Sequence, residues 1–457
     1  MKAGSTIAKL VPVRRTLPQK IFFTIVALTT LTLYYSGYRP VDFMKKSRLS
    51  FHKRPETSHL DCGRILRGDM AYIASVATHR PVLRSSEQIS SCEEIRSRVV
   101  GSAPMKTLAF GVAYARIVYR DYEFLEDELR SSYHSQNYFC YSIDRKANKN
   151  FHSRIEKLAS CLPNVLITAD EYDVDGAGHN MNHAHYACMR LLVRKPGWGY
   201  VVLLQNHDVI IKSPYEMVTI FELLDGANDV EITPCPEDRL NPNKTWDARS
   251  LRLFPNESAV SEKQLNASLS FAKGAVQASL SRAAVEWLVL TANLTTLIQQ
   301  INEMPFGVDE ILLESLQISD DIDMPGRFTS KCLAQGQNTD FITRMSHWTY
   351  GEKEGCKSRY IRNALCVLGV EDLHSLSQYP NIMANKMLPE FDYAIVECVH
   401  EMIFNRTFLG QVDHPLDTEY YSNMVNVKYH KNRKRPDPSY VLNCRPRTIE
   451  WQQYPYP

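Results

Sequence analysis

The stretch Gly199-Tyr-Val-Val-Leu-Leu-Gln205, closed by Asn206-His207-Asp208, is an uncharged apolar run that ends on one carboxylate. It reads as a buried strand. Upstream the same kind of run recurs. Thr107–Ala115 is a strand candidate, followed by a helical stretch from Tyr119 to His134. Tyr138–Ile143 is a second strand ending at Asp144, then Phe151–Leu162 is a helix. Asn164–Thr168 is a third strand and Met181–Arg194 another helix. Apolar strands alternating with helices specify an α/β protein whose parallel sheet is covered on both faces. Ligands of such sheets bind beyond the carboxyl ends of the strands, where Asp144 and Asp208 fall.

Composition agrees with a globular body. The 457 residues carry 53 Lys+Arg against 51 Asp+Glu, a formal net charge of +2, with 44% hydrophobic and 23% charged residues. That suffices for a sizeable core. It lacks the basic excess that phosphate neutralisation requires, so nucleic acid is not an expected partner.

The N-terminus sets the expected compartment. Residues 1–20 are basic and without acids, and Ile21–Tyr38 is an uncharged apolar run. Eighteen helical residues would span about 27 Å, enough for a thin early-secretory membrane. No small-x-small cleavage site follows, so an anchor is expected in place of a cleaved signal. Basic residues flank both ends and leave orientation open on charge alone. All 11 cysteines and five sequons (Asn243, Asn256, Asn266, Asn293 and Asn405) lie after the anchor. They favour a type II protein in an oxidising lumen. The expected layout is a cytoplasmic tail 1–20, an anchor 21–38, a stem 39–60, a luminal domain 61–412 and an irregular peripheral tail 413–457. Thr233–Gln264, rich in Pro, Asn, Glu and Arg, reads as a surface loop able to cover a site.

Phosphate-cradling glycine motifs, a GxSxG elbow and HExxH are absent from the sequence. Two Asp-x-Asp triplets, Asp173/Asp175 and Asp321/Asp323, could hold a metal-bound diphosphate. Neither follows an apolar strand, and the strand in the right setting ends in a single carboxylate. His179, His183 and His185 lie at a helix start with no matching carboxylate motif and are expected to be solvated or capping.

An ordered set of motifs resembles the core-2/I-branching β-1,6-N-acetylglucosaminyltransferase family, and through it the xylosyltransferases. These are Cys62-x-x-Ile65-x-x-Gly68-Asp69, Arg130-x-x-Tyr133-x-x-Gln136-Asn137-x-x-Cys140 and Ile143-Asp144-x-Lys146. Ala159-Ser160-Cys161-x-x-Asn164-Val165 and Asp208-x-x-Ile211-Lys212 follow. Trp348-x-Tyr350, Arg362 before Cys366, Gly369-x-x-Asp372-Leu373 and Ala384-Asn385-Lys386 complete the set. The resemblance implies a Rossmann-like glycosyltransferase fold of the GT-A type, an inverting reaction on a UDP-sugar and no divalent metal.

It also implies roles. Arg362 and Lys386 match the pair that stabilises the departing diphosphate. Glu310, in Gly307-Val308-Asp309-Glu310, matches the general base, with Asp309 supporting the helix start. Asp144 matches a position near the nucleoside. Glu231, Trp348 and Tyr350 match acceptor-side residues, the rings suited to stacking on a sugar face. The implied disulfides are Cys62–Cys398, Cys92–Cys161, Cys140–Cys188 and Cys356–Cys366, leaving Cys235, Cys332 and Cys444 over. Gly307-Val308 replaces the family's Ser-Pro and Leu313 an aromatic. After Gly274 only the Ser281-Arg282 ending is kept. The expected reaction is N-acetylglucosamine transfer from UDP-N-acetylglucosamine to a glycan hydroxyl in the Golgi. UDP-xylose transfer and an inactive nucleotide- or glycan-binding relative stand as alternatives.

Overall fold

The computed structural model describes residues 49–336, 340–349, 355–410 and 413–444. The expected cytoplasmic tail, the anchor and Tyr350 lie outside the described residues. Among the described residues no helix is long and apolar enough to cross a membrane.

The described residues form twelve strands: β1 Gly111–Val118, β2 Tyr138–Ile143, β3 Val165–Ile167, β4 Trp198–Leu204, β5 Val209–Ile210, β6 Thr233–Pro234, β7 Ala272–Lys273, β8 Ser279–Ser281, β9 Arg344–Ser346, β10 Ile361–Arg362, β11 Leu365–Cys366 and β12 Met383–Asn385. The main sheet has the order β3-β2-β1-β4-β8. Its first four strands are parallel, and β8 runs antiparallel against β4. Alternate residues of β4 separate onto opposite faces. Tyr200, Val202 and Leu204 enter one core, while Val201 and Leu203 enter the other. Period-two alternation carried by uniformly apolar side chains is what a sheet covered on both faces requires.

Strand order reverses between β1 and β4, which opens a crevice beyond their carboxyl ends. Immediately after Asp208 the chain enters β5, the edge of a second sheet ordered β5-β12-β9. Here β12 pairs antiparallel with β5 and parallel with β9, bringing Met383 opposite Arg344 and Asn385 opposite Ser346. This small sheet carries residues from the last third of the chain to the crevice.

Five disulfides brace the body. The four implied pairs are formed, and a fifth joins Cys332 to Cys444. Cys235 is the free cysteine. Two boundaries are corrected. The stem does not extend to residue 60: from Phe51 the chain is part of the folded body. Arg54 Nε lies 2.6 Å from Asp127 Oδ2, its N–H donates to Glu397 at 2.8 Å, and Thr57 and Leu60 are buried. Nor are residues 413–444, the described part of the expected tail, irregular and peripheral. Helices Thr418–Ser422 and Val425–Lys434 pack Tyr420, Tyr421, Met424 and Val427 into the core. The Tyr421 hydroxyl donates to the Pro380 carbonyl at 2.7 Å. Its apolar residues are few and interspersed with basic ones, so no helical period stands out until the core that receives them exists.

Candidate active site

Asp208 sits at the centre, fully buried. Its Oδ2 accepts from the Gln205 backbone at 2.6 Å and the Gln277 amide at 3.0 Å, and its Oδ1 from the Asn385 amide at 2.7 Å. Both oxygens are therefore engaged by neutral donors from the end of β4, the segment just before β8, and β12. Gln277 and Asn385 use their carbonyl oxygens to bind Arg344 Nη1 at 2.7 Å and Nη2 at 3.1 Å. The start of β9 is anchored by buried Asp229, which accepts from Thr343 N at 2.7 Å and Thr343 Oγ1 at 2.6 Å. Burial raises that carboxyl to about 7.

On one side of Arg344 lie cations. Lys386 follows β12 directly. Burial, then the charges of Arg362 and Arg344, push its ammonium below the ordinary value. Arg362 stands on the β10–β11 hairpin, whose two turn residues, Asn363 and Ala364, have φ of 52° and 60°. Such left-handed pairs make the tight turn that matches strand twist. The Cys356–Cys366 bridge ties this hairpin back to the preceding loop. Arg120, beyond the end of β1, reaches Glu390 Oε1 at 2.6 Å, and Arg362 Nη1 lies 3.7 Å from the same oxygen.

On the other side lie acids. Glu310 belongs to a single 3₁₀ turn, Val308–Glu310, ahead of helix Leu312–Ile318. Its carbonyl accepts from Gly274 N at 2.9 Å. A Cβ at Gly274 would lie 2.2 Å from the Glu231 carbonyl oxygen, so glycine is what lets Glu231 and Glu310 close on one strand of backbone. Asp309 is raised to about 6 by burial and by the Glu310 charge. Burial also pushes Glu231 up, with Arg344 opposing. Glu314 is 1% exposed and neither carboxylate oxygen has a hydrogen-bond partner. Burial, with Asp309, Glu310 and Glu231 nearby, raises it well above the carboxylate range. Arg344 is the cation common to both sides. Burial lowers its guanidinium against the attraction of Asp208, Glu231, Asp309 and Glu310.

The expected cover is present. Arg239, from the Thr233–Gln264 loop, donates to the Phe306 carbonyl at 2.9 Å and lies 3.9 Å from Glu310 Oε2. Gly307 has φ 64°, and a Cβ there would lie 1.8 Å from Arg239 Nη1. Trp348 is 44% exposed, with a backbone bridge to Leu365. Asp144 is buried at the end of β2, two strands from β4, and accepts from Lys146 N at 2.8 Å.

The Asp-x-Asp triplets are engaged with basic side chains: Asp173 with Lys146, Asp175 with His179, Asp321 with Lys263, and Asp323 with Arg327 and Arg433. The three histidines go separate ways, His179 to Asp175 and His185 to the Leu204 carbonyl, while His183 stacks on Tyr172. Among the described residues the one group spaced to hold a metal ion is Asp121, His207 and Glu390. Sequence reading missed Arg120, Gln277, Arg344, Glu314 and Glu390. Only Glu314 carried a signal, its position four residues beyond Glu310.

Residues 112–377, more than half of the chain, match the family described as Core-2/I-Branching enzyme. A bovine beta-1,3-galactosyl-O-glycosyl-glycoprotein beta-1,6-N-acetylglucosaminyltransferase is 24% identical over 408 residues, covering 84% of this chain and 94% of the relative. An enzyme of that name from bovine herpesvirus 4 is 25% identical over 380 residues, 78% of this chain and 85% of its own. The mouse enzyme numbered 3 is 24% identical over 396 residues, 78% and 86%.

Proposed function

The chain belongs to the Core-2/I-branching enzyme family and is a glycosyltransferase; from that premise we propose that it transfers N-acetylglucosamine from UDP-N-acetylglucosamine to a glycan hydroxyl, with inversion and without a divalent metal. The acceptor oxygen attacks the anomeric carbon as the bond from that carbon to the diphosphate oxygen breaks. UDP leaves with the bonding electrons, and Glu310 takes the hydroxyl proton. A general base of this kind contributes about 10²–10⁴-fold. Arg362 and Lys386 meet the charge that develops on the diphosphate, and Asp144 holds the nucleoside. Glu231, with Asp309 supporting Glu310, orients the acceptor, and Trp348 with Tyr350 stacks on its sugar face. The parallel sheet with its crevice at the β1/β4 reversal is compatible with a GT-A type fold. A Golgi type II topology, anchored through Ile21–Tyr38 with the sequons in the lumen, completes the reading.

The observation that carries this reading is the separation of charge across Arg344. A cationic corner lies on one side and a cluster of carboxylates with raised proton affinity on the other. Each is what one half of a displacement needs, an anion seat and a proton acceptor. Arg239 beside Glu310 motivates a second reading, nucleotide binding without transfer, because a cation 3.9 Å from that carboxylate competes with an acceptor hydroxyl for it. The test is transfer by the luminal fragment from a panel of UDP-sugars to mixed glycan acceptors, with and without EDTA, beside Glu310→Gln. Chelator-resistant transfer of N-acetylglucosamine that disappears in Glu310→Gln is expected. Transfer of xylose instead replaces the donor, loss in EDTA overturns the metal-free mechanism, and UDP binding with no transfer moves the assignment to the second reading.

A further inference from the structure

We propose that Glu390 is a built-in anion occupying the diphosphate seat while no donor is bound, and that Arg120 is a third cation of that seat; this deepens the donor reading above and rests on it. Three cations come to this corner from three distant segments: Arg120 after β1, Arg362 on the hairpin and Lys386 after β12. Their mutual repulsion is visible at Lys386, whose ammonium is disfavoured by burial and then by Arg362, Arg344 and Arg120. Like charges gathered in one place need an anion. Glu390 supplies it, with Oε1 at 2.6 Å from Arg120 Nη2 and 3.7 Å from Arg362 Nη1. It stands four residues beyond Lys386, on the same connection into helix Tyr393–Phe404.

Two features mark the seat as one made to exchange its occupant. The Glu390 and Arg362 side chains are 46% and 42% exposed, and pairs so open to water are weak. Arg120 Nε is buried and makes no hydrogen bond, although Asp121 Oδ2 lies 3.1 Å away. That Asp121 oxygen is shared, because it also lies 2.7 Å from His207 Nε2. A guanidinium whose Nε shares its carboxylate with His207 and whose Nη2 is held by an exposed partner is ready for a multivalent anion. A diphosphate brings more charge and more oxygens than one carboxylate and displaces it. When UDP is the product, Glu390 returns to the seat and speeds its departure.

The alternative occupant is a metal ion, because Asp121, His207 and Glu390 are spaced to hold one. Calorimetric titration of the purified protein with UDP, pyrophosphate and uridine, in EDTA and in Mn²⁺, distinguishes the two. Glu390→Gln is expected to bind UDP and pyrophosphate about two- to fivefold more tightly in EDTA, with uridine unchanged. Glu390→Asp, which keeps the charge, restores wild-type affinity. Arg120→Gln weakens UDP and pyrophosphate about tenfold and removes most of the gain from Glu390→Gln in the double variant. Unchanged or weaker pyrophosphate binding by Glu390→Gln overturns the proposal, as does wild-type affinity in Arg120→Gln. Binding that requires Mn²⁺ and is lost in Glu390→Gln makes the corner a metal site instead. If wild-type protein binds no UDP, the donor reading itself fails. UDP binding with a silent Glu390→Gln fails the seat alone.

Discussion

The two sides of Arg344 are built from the same materials, charged side chains drawn wholly or partly out of water, yet they hold charge in opposite ways. On the side of Lys386 and Arg362, burial and crowded cations make positive charge costly, so the corner gains from an incoming anion. On the side of Asp309, Glu231 and Glu314, burial and crowded carboxylates make negative charge costly, so the cluster gains from a proton. Crowding like charges is how a protein stores affinity for the opposite one. Arg344 keeps the halves from being independent, since it borders both.

The largest effect expected from breaking one half alone is at the base. Glu310→Gln should lower kcat by about 10²–10⁴-fold while UDP affinity measured by titration stays within about twofold. Lys386→Met or Arg362→Met should lower kcat by about 10²–10³-fold and weaken UDP as well. If instead the acceptor KM is what moves, the division between the halves is wrong. Arg344→Gln tests the link. It leaves Asp208 and the acidic cluster without their common cation, and kcat/KM should fall about 10- to 100-fold with both donor and acceptor affinities altered.

The acidic half also has a pH signature. Asp309 binds its proton more tightly in the folded protein, at about 6, than at its ordinary value of 3.8. Folding stability from this group is therefore full below about 4 and is lost as pH rises to about 6. Asp309→Asn should flatten that decline, read as the urea midpoint at pH 4 against pH 7. A steeper decline would contradict the shift. The smallest effect is expected at Trp348→Ala, a roughly three- to tenfold rise in acceptor KM with UDP binding unchanged, the worth of one stacked ring.

The strands and helices of the first half were legible because each is a long local pattern. Gly199–Gln205 and Tyr138–Ile143 are apolar runs, and the helices between them have clear boundaries. Arg362, Lys386 and Glu310 could be picked out only through resemblance, since a basic residue after a short strand and an acidic helix start are common features. Arg344 carried no signal at all: its partners Gln277 and Asn385 lie 67 and 41 residues away. The Cys332–Cys444 bridge was hidden for the same reason, its halves 112 residues apart.

By itself the sequence determined that an α/β body with a doubly covered parallel sheet would form, because binary pattern and strand length act over a few residues. It also held the family motifs in their order. Which charges face one another was decided by the tertiary structure. The second sheet, β5-β12-β9, lays segments from residues 208, 344 and 385 side by side. Electrostatic character at this site is a property of that convergence: a carboxylate or an ammonium acquires its proton affinity from burial and from neighbours that no stretch of sequence contains.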